Sequence, residues 1–196
     1  MRLAVSGGNT LLRRGASSLI SSSSSLFTQK RNIVYQARLR DSLFVLNEVL
    51  DAPGQYQKQG FKDVTPDVLE GVLQECAKLS ENVLAPLYEI GDKDGAKLQP
   101  NGDVTTPPGW KEAYQQYIAG GWQSISVPTE YGGQGLPLSL GLLKAELIGT
   151  ANWAFSMYPG LSIGAMNTLL LHGSEEQKKV RSIKPFSIVL FSSVLL

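Results

Sequence analysis

Few residues in this chain are of a type that could do chemistry. His172 is the only histidine and Cys76 the only cysteine among 196 residues, so neither an internal disulfide nor a His/Cys metal cluster can be built. No metal site is expected. His172 stands near the end of a helical pattern, where an imidazole acts as a partner of the helix dipole or as a surface group; the alternative is a general base. Cys76 falls on the apolar stripe of another helical pattern and reads as a small buried hydrophobe rather than a nucleophile. The run Glu130-Tyr-Gly-Gly-Gln-Gly135 could cradle an anion, because glycines let backbone N–H groups approach one. Its spacing is neither the Gly-x-Gly-x-x-Gly of a dinucleotide turn nor the Gly-Lys-Ser/Thr of a phosphate loop, and no strand clearly precedes it. A tight turn between two helices is the simpler reading. No constellation here carries catalysis by itself.

The elements that would position these residues are helical almost throughout, so the fold class expected is all-α. Asp41-Ser-Leu-Phe-Val-Leu-Asn-Glu-Val-Leu50 is a short apolar segment ending before Pro53-Gly54, and residues 51–64 read as a connection. Thr65-Pro66-Asp67 combines a hydroxyl cap, a first-turn proline and an acid at the positive end of the dipole. Leu69, Val72, Leu73, Cys76, Leu79, Val83 and Leu84 then recur at spacings of three and four, and Pro86 should kink or end that helix. Residues 91–108 read as a loop with a turn at Asn101-Gly102. Trp110, Ala113, Tyr114, Tyr117 and Ile118 mark a second helix that stops at Gly120-Gly121. Leu140, Leu143, Leu147 and Ile148 define an amphipathic third. Pro159-Gly160 should break the pattern before a further helix from Leu161 to about His172, and Ser174-Glu-Glu-Gln177 has the form of a capping box opening one more.

Charge divides the chain. Residues 1–40 carry seven Lys or Arg and no Asp or Glu, leaving 11 basic and 17 acidic residues for the remainder. An acidic body lacks the basic face that nucleic-acid binding requires, and no nucleic-acid partner is expected. The basic leader is rich in Ser and Arg and can place Leu12, Ala16, Leu19 and Ile20 on one side of a helix, the profile of a mitochondrial transit peptide removed between Arg31 and Val34. Its alternative is a basic tail that stays attached. No stretch reaches the roughly 18 to 20 consecutive apolar residues of a membrane span. The sequence ends in Phe186-Ser-Ile-Val-Leu-Phe-Ser-Ser-Val-Leu-Leu196, an apolar run that follows Pro185 and departs from the helical pattern after Lys179.

Gly120-Gly-Trp122 followed by Val127-Pro-Thr-Glu-Tyr-Gly-Gly-Gln-Gly135 closely resembles the interhelical turn in the N-terminal domain of acyl-CoA dehydrogenases. The continuation through Leu161 and His172-Gly-Ser-Glu-Glu-Gln-Lys178 is similar to that domain in order and distance. Tyr35-Gln-Ala-Arg-Leu-Arg-Asp41 with Phe44-Val-Leu46 resembles the extra N-terminal segment of the larger, bacterial-type branch, which includes dehydrogenases of long-chain and methylthio-substituted acyl-CoA. The organisation this implies is a transit peptide over 1–33, an N-terminal extension segment over 34–64, the helical domain over 65–179 and a divergent apolar tail over 180–196.

The resemblance implies FAD as cofactor, an acyl-CoA substrate oxidised across its α and β carbons, an electron-transfer acceptor as partner, and a place in fatty acid metabolism in the mitochondrial matrix. In that family a glutamate takes the α proton while hydride passes to the flavin, and the flavin contacts come mainly from a β domain and a C-terminal bundle. The sequence departs before those regions, so no catalytic or cofactor-binding residue is assigned, and the expectation is an N-terminal fragment inactive alone. What the domain can contribute is a wall of the acyl-chain tunnel. Phe155-Ser-Met-Tyr-Pro-Gly-Leu161 would face it, with Met157, Tyr158 and Leu161 as pocket-lining candidates; the alternative is that these three are ordinary interhelical core. The competing function is a non-enzymatic helical interaction module of the same descent, with full-length relatives as partners.

Overall fold

The cap chemistry of Thr65-Pro66-Asp67 starts the helix that organises the fold. In the computed structural model, which describes residues 35–182, helix α3 runs over Pro66–Leu79, and the Thr65 hydroxyl accepts the Val68 N–H at 3.3 Å. Ahead of it lie α1 (Leu39–Phe44), prolonged by a π-helical turn over Val45–Val49, and α2 (Ala52–Lys58). Behind it come a second π turn (Ser80–Leu84), α4 (Leu87–Asp94), β1 (Lys97–Leu98), β2 (Val104–Thr105) and α5 (Trp110–Ala119). Short 3-10 turns at Trp122–Ser124 and Thr129–Tyr131 lead into α6 (Leu138–Ala151), α7 (Trp153–His172) and α8 (Glu175–Ser182). The fold is all-α; the strands among the described residues are one short antiparallel pair. The expected transit peptide and the tail beyond Ser182 lie outside the described residues.

Helix α6 packs against both α3 and α7. Leu69, Leu73, Cys76 and Leu84 from the α3 side join Leu140, Leu147 and Ile148 of α6, Tyr117 of α5 and Phe155 of α7 in one buried cluster. Each such aliphatic side chain contributes about 2 kcal/mol by leaving water. The N-terminal segment is strapped across this core. Tyr35 donates its hydroxyl to the Leu147 carbonyl at 3.1 Å, and the Ala37 N–H donates to the Glu81 carboxylate at 2.8 Å.

Four expectations are corrected. Residues 51–64 are not a mere connection, since α2 occupies Ala52–Lys58: Pro53 sits in the first turn, where its missing N–H costs nothing, so the proline starts this helix. Tyr56 then anchors α2 through a 2.7 Å hydrogen bond with Ser139. The loop foreseen over 91–108 gives up its first residues to α4, which continues through Gly91 because the missing side chain lets the Trp110 indole lie against the helix. The turn at Asn101-Gly102 closes the β1–β2 hairpin, with Gly102 at φ +90°.

Third, the α6 face is less simply divided than expected. Leu140, Leu147 and Ile148 are buried and Leu143 packs against the core, as their spacing implied, but Lys144 is buried among them while Leu138 and Leu142 are exposed. Fourth, Pro159 does not break α7, which runs unbroken through 20 residues. An interior proline removes a hydrogen bond and costs about 3 kcal/mol. Here that cost is offset by burial of Phe155, Pro159, Ser162 and Met166 on one face, and the Pro159 carbonyl accepts the Gln123 amide at 3.3 Å.

The proline at 86 behaves as foreseen. The π turn ends with the Ala85 N–H bonded to the Ser80 carbonyl at 2.9 Å, and Pro86 then caps α4 instead of prolonging α3. The capping box is present in both halves. The Gln177 N–H reaches the Ser174 hydroxyl at 3.3 Å while the Ser174 N–H donates to the Gln177 side chain at 2.9 Å. Where the helical pattern was expected to lapse after Lys179, α8 continues to Ser182, because Pro185 restricts the residue before it and bars no earlier one.

Candidate functional site

Asn152 sets the start of α7 and through it the site. It is 1% exposed; its side-chain oxygen accepts the Phe155 N–H at 3.0 Å, and its amide donates to the Leu84 carbonyl at 3.1 Å. One side chain thus caps α7 and satisfies the end of the π turn after α3. Phe155, held in the first turn, meets rings from α5 and one from its own helix. Its centroid lies 5.9 Å from Trp110, 6.3 Å from Tyr114, 6.1 Å from Tyr117 and 6.4 Å from Tyr158.

Two clefts open beside this ring cluster and share Trp110 and Tyr158 as lining. The larger, about 420 Å³, is lined by Tyr88, Gly91, Asp92, Ala96, Pro107, Trp110, Asn152, Ala154 and Tyr158. The smaller, about 290 Å³, is lined by Val104, Thr106, Trp110, Lys111, Tyr114, Phe155 and Tyr158. Tyr158 is the sole candidate from the sequence that lines them, and it lines both. Met157 and Leu161 are 50% and 67% exposed on the outer side of α7, in line with Trp153 at 65%. Neither of these two is interhelical core, and the three candidates do not converge on one cavity. The aromatic walls from α5 and the capping role of Asn152 were not foreseen. The spacing of Trp110, Tyr114 and Tyr117, noted only as a helix face, already placed three rings on one side.

A separate polar group lies in the core. Lys144 is 3% exposed and donates to the Tyr117 hydroxyl at 3.1 Å, and the Cys76 thiol approaches the Lys144 carbonyl at 3.9 Å. Desolvation lowers the Lys144 pKa, raises that of Tyr117 and pushes the Cys76 thiol from 9.0 up to about 11, opposed in part by the Lys144 charge. Cys76 is a core residue, as its place on the stripe implied. A thiol whose pKa rises on folding adds stability that is whole below pH 9.0 and is lost as pH climbs through about 11. The stability difference between the native chain and Cys76→Ala should therefore shrink by roughly 1 kcal/mol from pH 8 to pH 10. Urea titrations at the two pH values measure it, and parallel profiles would show that the thiol is not desolvated.

His172 closes α7 as its last residue, exposed at the negative end of the helix dipole. The glycine turn is structural. It carries Gly132 and Gly135 at φ +79° and +64°, and its amides are spent internally: Gly133 N–H on Pro128 O at 3.2 Å and Gly135 N–H on Val127 O at 2.9 Å. Among the described residues no group of His, Cys, Asp and Glu could hold a metal ion, and no helix is long and apolar enough to cross a membrane.

A helical domain with this turn, this capped aromatic helix and an apolar outer face on α7 defines the class. The sequence profile of the acyl-CoA dehydrogenase N-terminal domain matches residues 71–181. Over 146 residues the chain is 37% identical to 3-methylmercaptopropionyl-CoA dehydrogenase of Ruegeria pomeroyi, an alignment covering 74% of this chain and 25% of that protein. It is 30% identical over 146 residues to the broad-specificity linear acyl-CoA dehydrogenase FadE5 of Mycobacterium tuberculosis, covering 74% of this chain and 24% of the relative. The chain belongs to the acyl-CoA dehydrogenase family. It spans about a quarter of the length of these relatives.

Membership implies FAD in the full-length proteins, and neither of these two clefts suits its diphosphate. The larger cleft offers Asp92 as its charged group, which would repel a diphosphate, and the smaller offers the single cation Lys111.

Proposed function

We propose that residues 35–182 act as the N-terminal helical domain of an FAD-dependent acyl-CoA dehydrogenase, in which the outer side of α7 forms one wall of the acyl-chain site. The observation that carries this reading is α7 itself. Its 20 residues include no Asp, Glu, Lys or Arg, yet one face alone is buried, leaving Trp153, Met157 and Leu161 in water. An uncharged helix with an open apolar face suits contact with a hydrocarbon chain. The acyl-CoA named for each relative, 3-methylmercaptopropionyl or linear, gives the substrate class.

By the same reading the chain alone neither retains FAD nor oxidises acyl-CoA. A partial flavin surface cannot offset the loss of translational and rotational freedom on binding, of order 4 to 15 kcal/mol. The electron acceptor belongs to the complete enzyme. Residues 1–33 direct the protein to the mitochondrial matrix; a reporter fused to them should be imported, and cytosolic staining with an intact leader would remove that claim.

The wall is tested in a chimaera that carries residues 35–182 in place of the matching region of the Ruegeria relative. Met157→Ala with Leu161→Ala should raise KM for long acyl-CoA severalfold and leave short acyl-CoA little changed. A flavin-loaded chimaera whose chain-length profile does not move contradicts the assignment.

A further inference from the structure

The larger cleft holds chemistry that the acyl-chain wall on the outer side of α7 does not use. Trp110, one of its lining residues, is 6% exposed, and its indole N–H is buried without a hydrogen-bond partner among the described residues. A buried donor left unpaired costs free energy that an acceptor entering the cleft recovers. The donor lies on the side of the indole that meets Gly91, itself a lining residue. A Cβ built on Gly91 would stand 2.6 Å from Trp110 Cζ2 and 3.4 Å from Nε1, so a larger residue would fill this space.

Charge adds a second feature. Asp92 lines the cleft from an exposed position and has no ion-pair partner among the described residues. Around it α4 carries Glu89 and Asp94 against one base, Lys93, which lies 3.4 Å from Glu89. Asp92 and Asp94 both stand in the last turn of α4, at the negative end of the helix dipole, where an acid lowers helix stability. The placement builds a negative potential at the cleft. The third feature is aromatic. Tyr88, Trp110 and Tyr158 all line the cleft, and the Trp110 and Tyr158 centroids are 5.6 Å apart with their planes at 61°. Ring faces attract a cation held within about 6 Å of the centroid.

We propose that the larger cleft binds a small organic cation that also carries an oxygen acceptor, an alkylated ammonium of the amino-alcohol class. Its charge lies against Asp92 and the aromatic rings, and its oxygen accepts the Trp110 N–H. The volume, about 420 Å³, is that of a small-molecule pocket. An anion is repelled by the acids of α4, and a neutral apolar molecule leaves Asp92 partly desolvated without a countercharge. A hard metal ion needs several oxygen ligands, and Asp92 is the one carboxylate in the lining. This site does not rest on the acyl-chain reading, and either can fail without the other.

The indole N–H of Trp110 reports on the binding. The full chain is titrated with choline while its indole N–H resonances are followed by NMR, the Trp110→Phe chain identifying the one that belongs to Trp110. That resonance should move saturably, and those of Trp122 and Trp153 should stay. The uncharged isostere 3,3-dimethyl-1-butanol should leave all three in place. Asp92→Asn and Tyr88→Ala should each weaken choline binding severalfold. Both residues are exposed, so circular-dichroism melts near that of the native chain confirm that the loss is local. A Trp110 resonance that choline does not move overturns the proposal. So does an equal shift with the uncharged isostere, or an Asp92→Asn chain that binds choline as tightly as the native one.

Discussion

Phe155→Ala should lower the stability of the folded chain by about 3 to 5 kcal/mol, the range for deleting a large buried ring. The ring is 1% exposed and lies in contact range of Trp110, Tyr114, Tyr117 and Tyr158, so its removal leaves a cavity bordered by four aromatic side chains. Those neighbours belong to α5 and α7 and cannot collapse independently, because Asn152 pins the start of α7 to the Leu84 carbonyl. Edge-on and tilted ring pairs add about 0.5 to 1.5 kcal/mol each beyond burial, which places the loss toward the upper end. Phe155→Leu keeps most of the volume and should cost much less. Urea denaturation checks both, with an unchanged m-value showing that the effect lies in stability. A loss below about 1 kcal/mol for the alanine chain would mean that the ring cluster is not the core of this domain.

Gly133→Ala should be as damaging, through the backbone. A Cβ at Gly133 would be driven into the Val127 carbonyl, the same oxygen that accepts the Gly135 N–H at 2.9 Å. The obstacle is main chain held in a knot: Gln134 N–H bonds Ser124 O at 3.1 Å, Leu136 N–H bonds Ile125 O at 3.0 Å, and the Gln134 side chain bonds Gly121 O at 3.0 Å. Admitting a methyl group requires the turn to open and at least one of these bonds to break, a cost of order 3 kcal/mol. Because the turn connects α5 to α6, the loss should reach the core as a lowered thermal midpoint. Gly71→Ala provides the contrast. No atom lies within 4 Å of a Cβ built there, and its position inside α3 should make the substitution stabilising by about 0.5 to 1 kcal/mol. Equal melts for the two variants would contradict the role given to the turn.

Much of this fold was legible because local chemistry and tertiary packing agree. Thr65 caps α3, Ser174 and Gln177 form both halves of their box, and Leu69, Leu73 and Cys76 are buried on the stripe that their spacing marked. Three of the misreadings share one cause: proline and glycine were taken as stops irrespective of position. Pro53 belongs to a first turn, and Gly91 is the contact that admits Trp110. Pro159 is carried by a helix whose burial outweighs the lost bond, and that continuity defines the site. Lys144 could have been found, since it stands four residues from both Leu140 and Ile148 on the apolar stripe. The candidates Met157, Tyr158 and Leu161 were chosen for a helix boundary that does not exist. On an unbroken α7 they divide between the aromatic clefts and the open face. That division depends on which elements α7 packs against, and helical spacing alone does not contain it.

The central proposal is that this helical domain works as an acyl-CoA dehydrogenase only together with flavin-binding surfaces supplied from outside it. One spectroscopic comparison tests it most directly. The full chain and the chimaera with the Ruegeria relative are each incubated with excess FAD, freed of unbound flavin, and mixed with short, medium and long acyl-CoA while the visible spectrum is recorded. The account predicts a colourless full chain and a flavin-loaded chimaera whose absorbance bleaches on adding acyl-CoA. A stoichiometric flavin spectrum in the full chain that bleaches with substrate would contradict it, and so would a chimaera that holds flavin yet bleaches with no acyl-CoA.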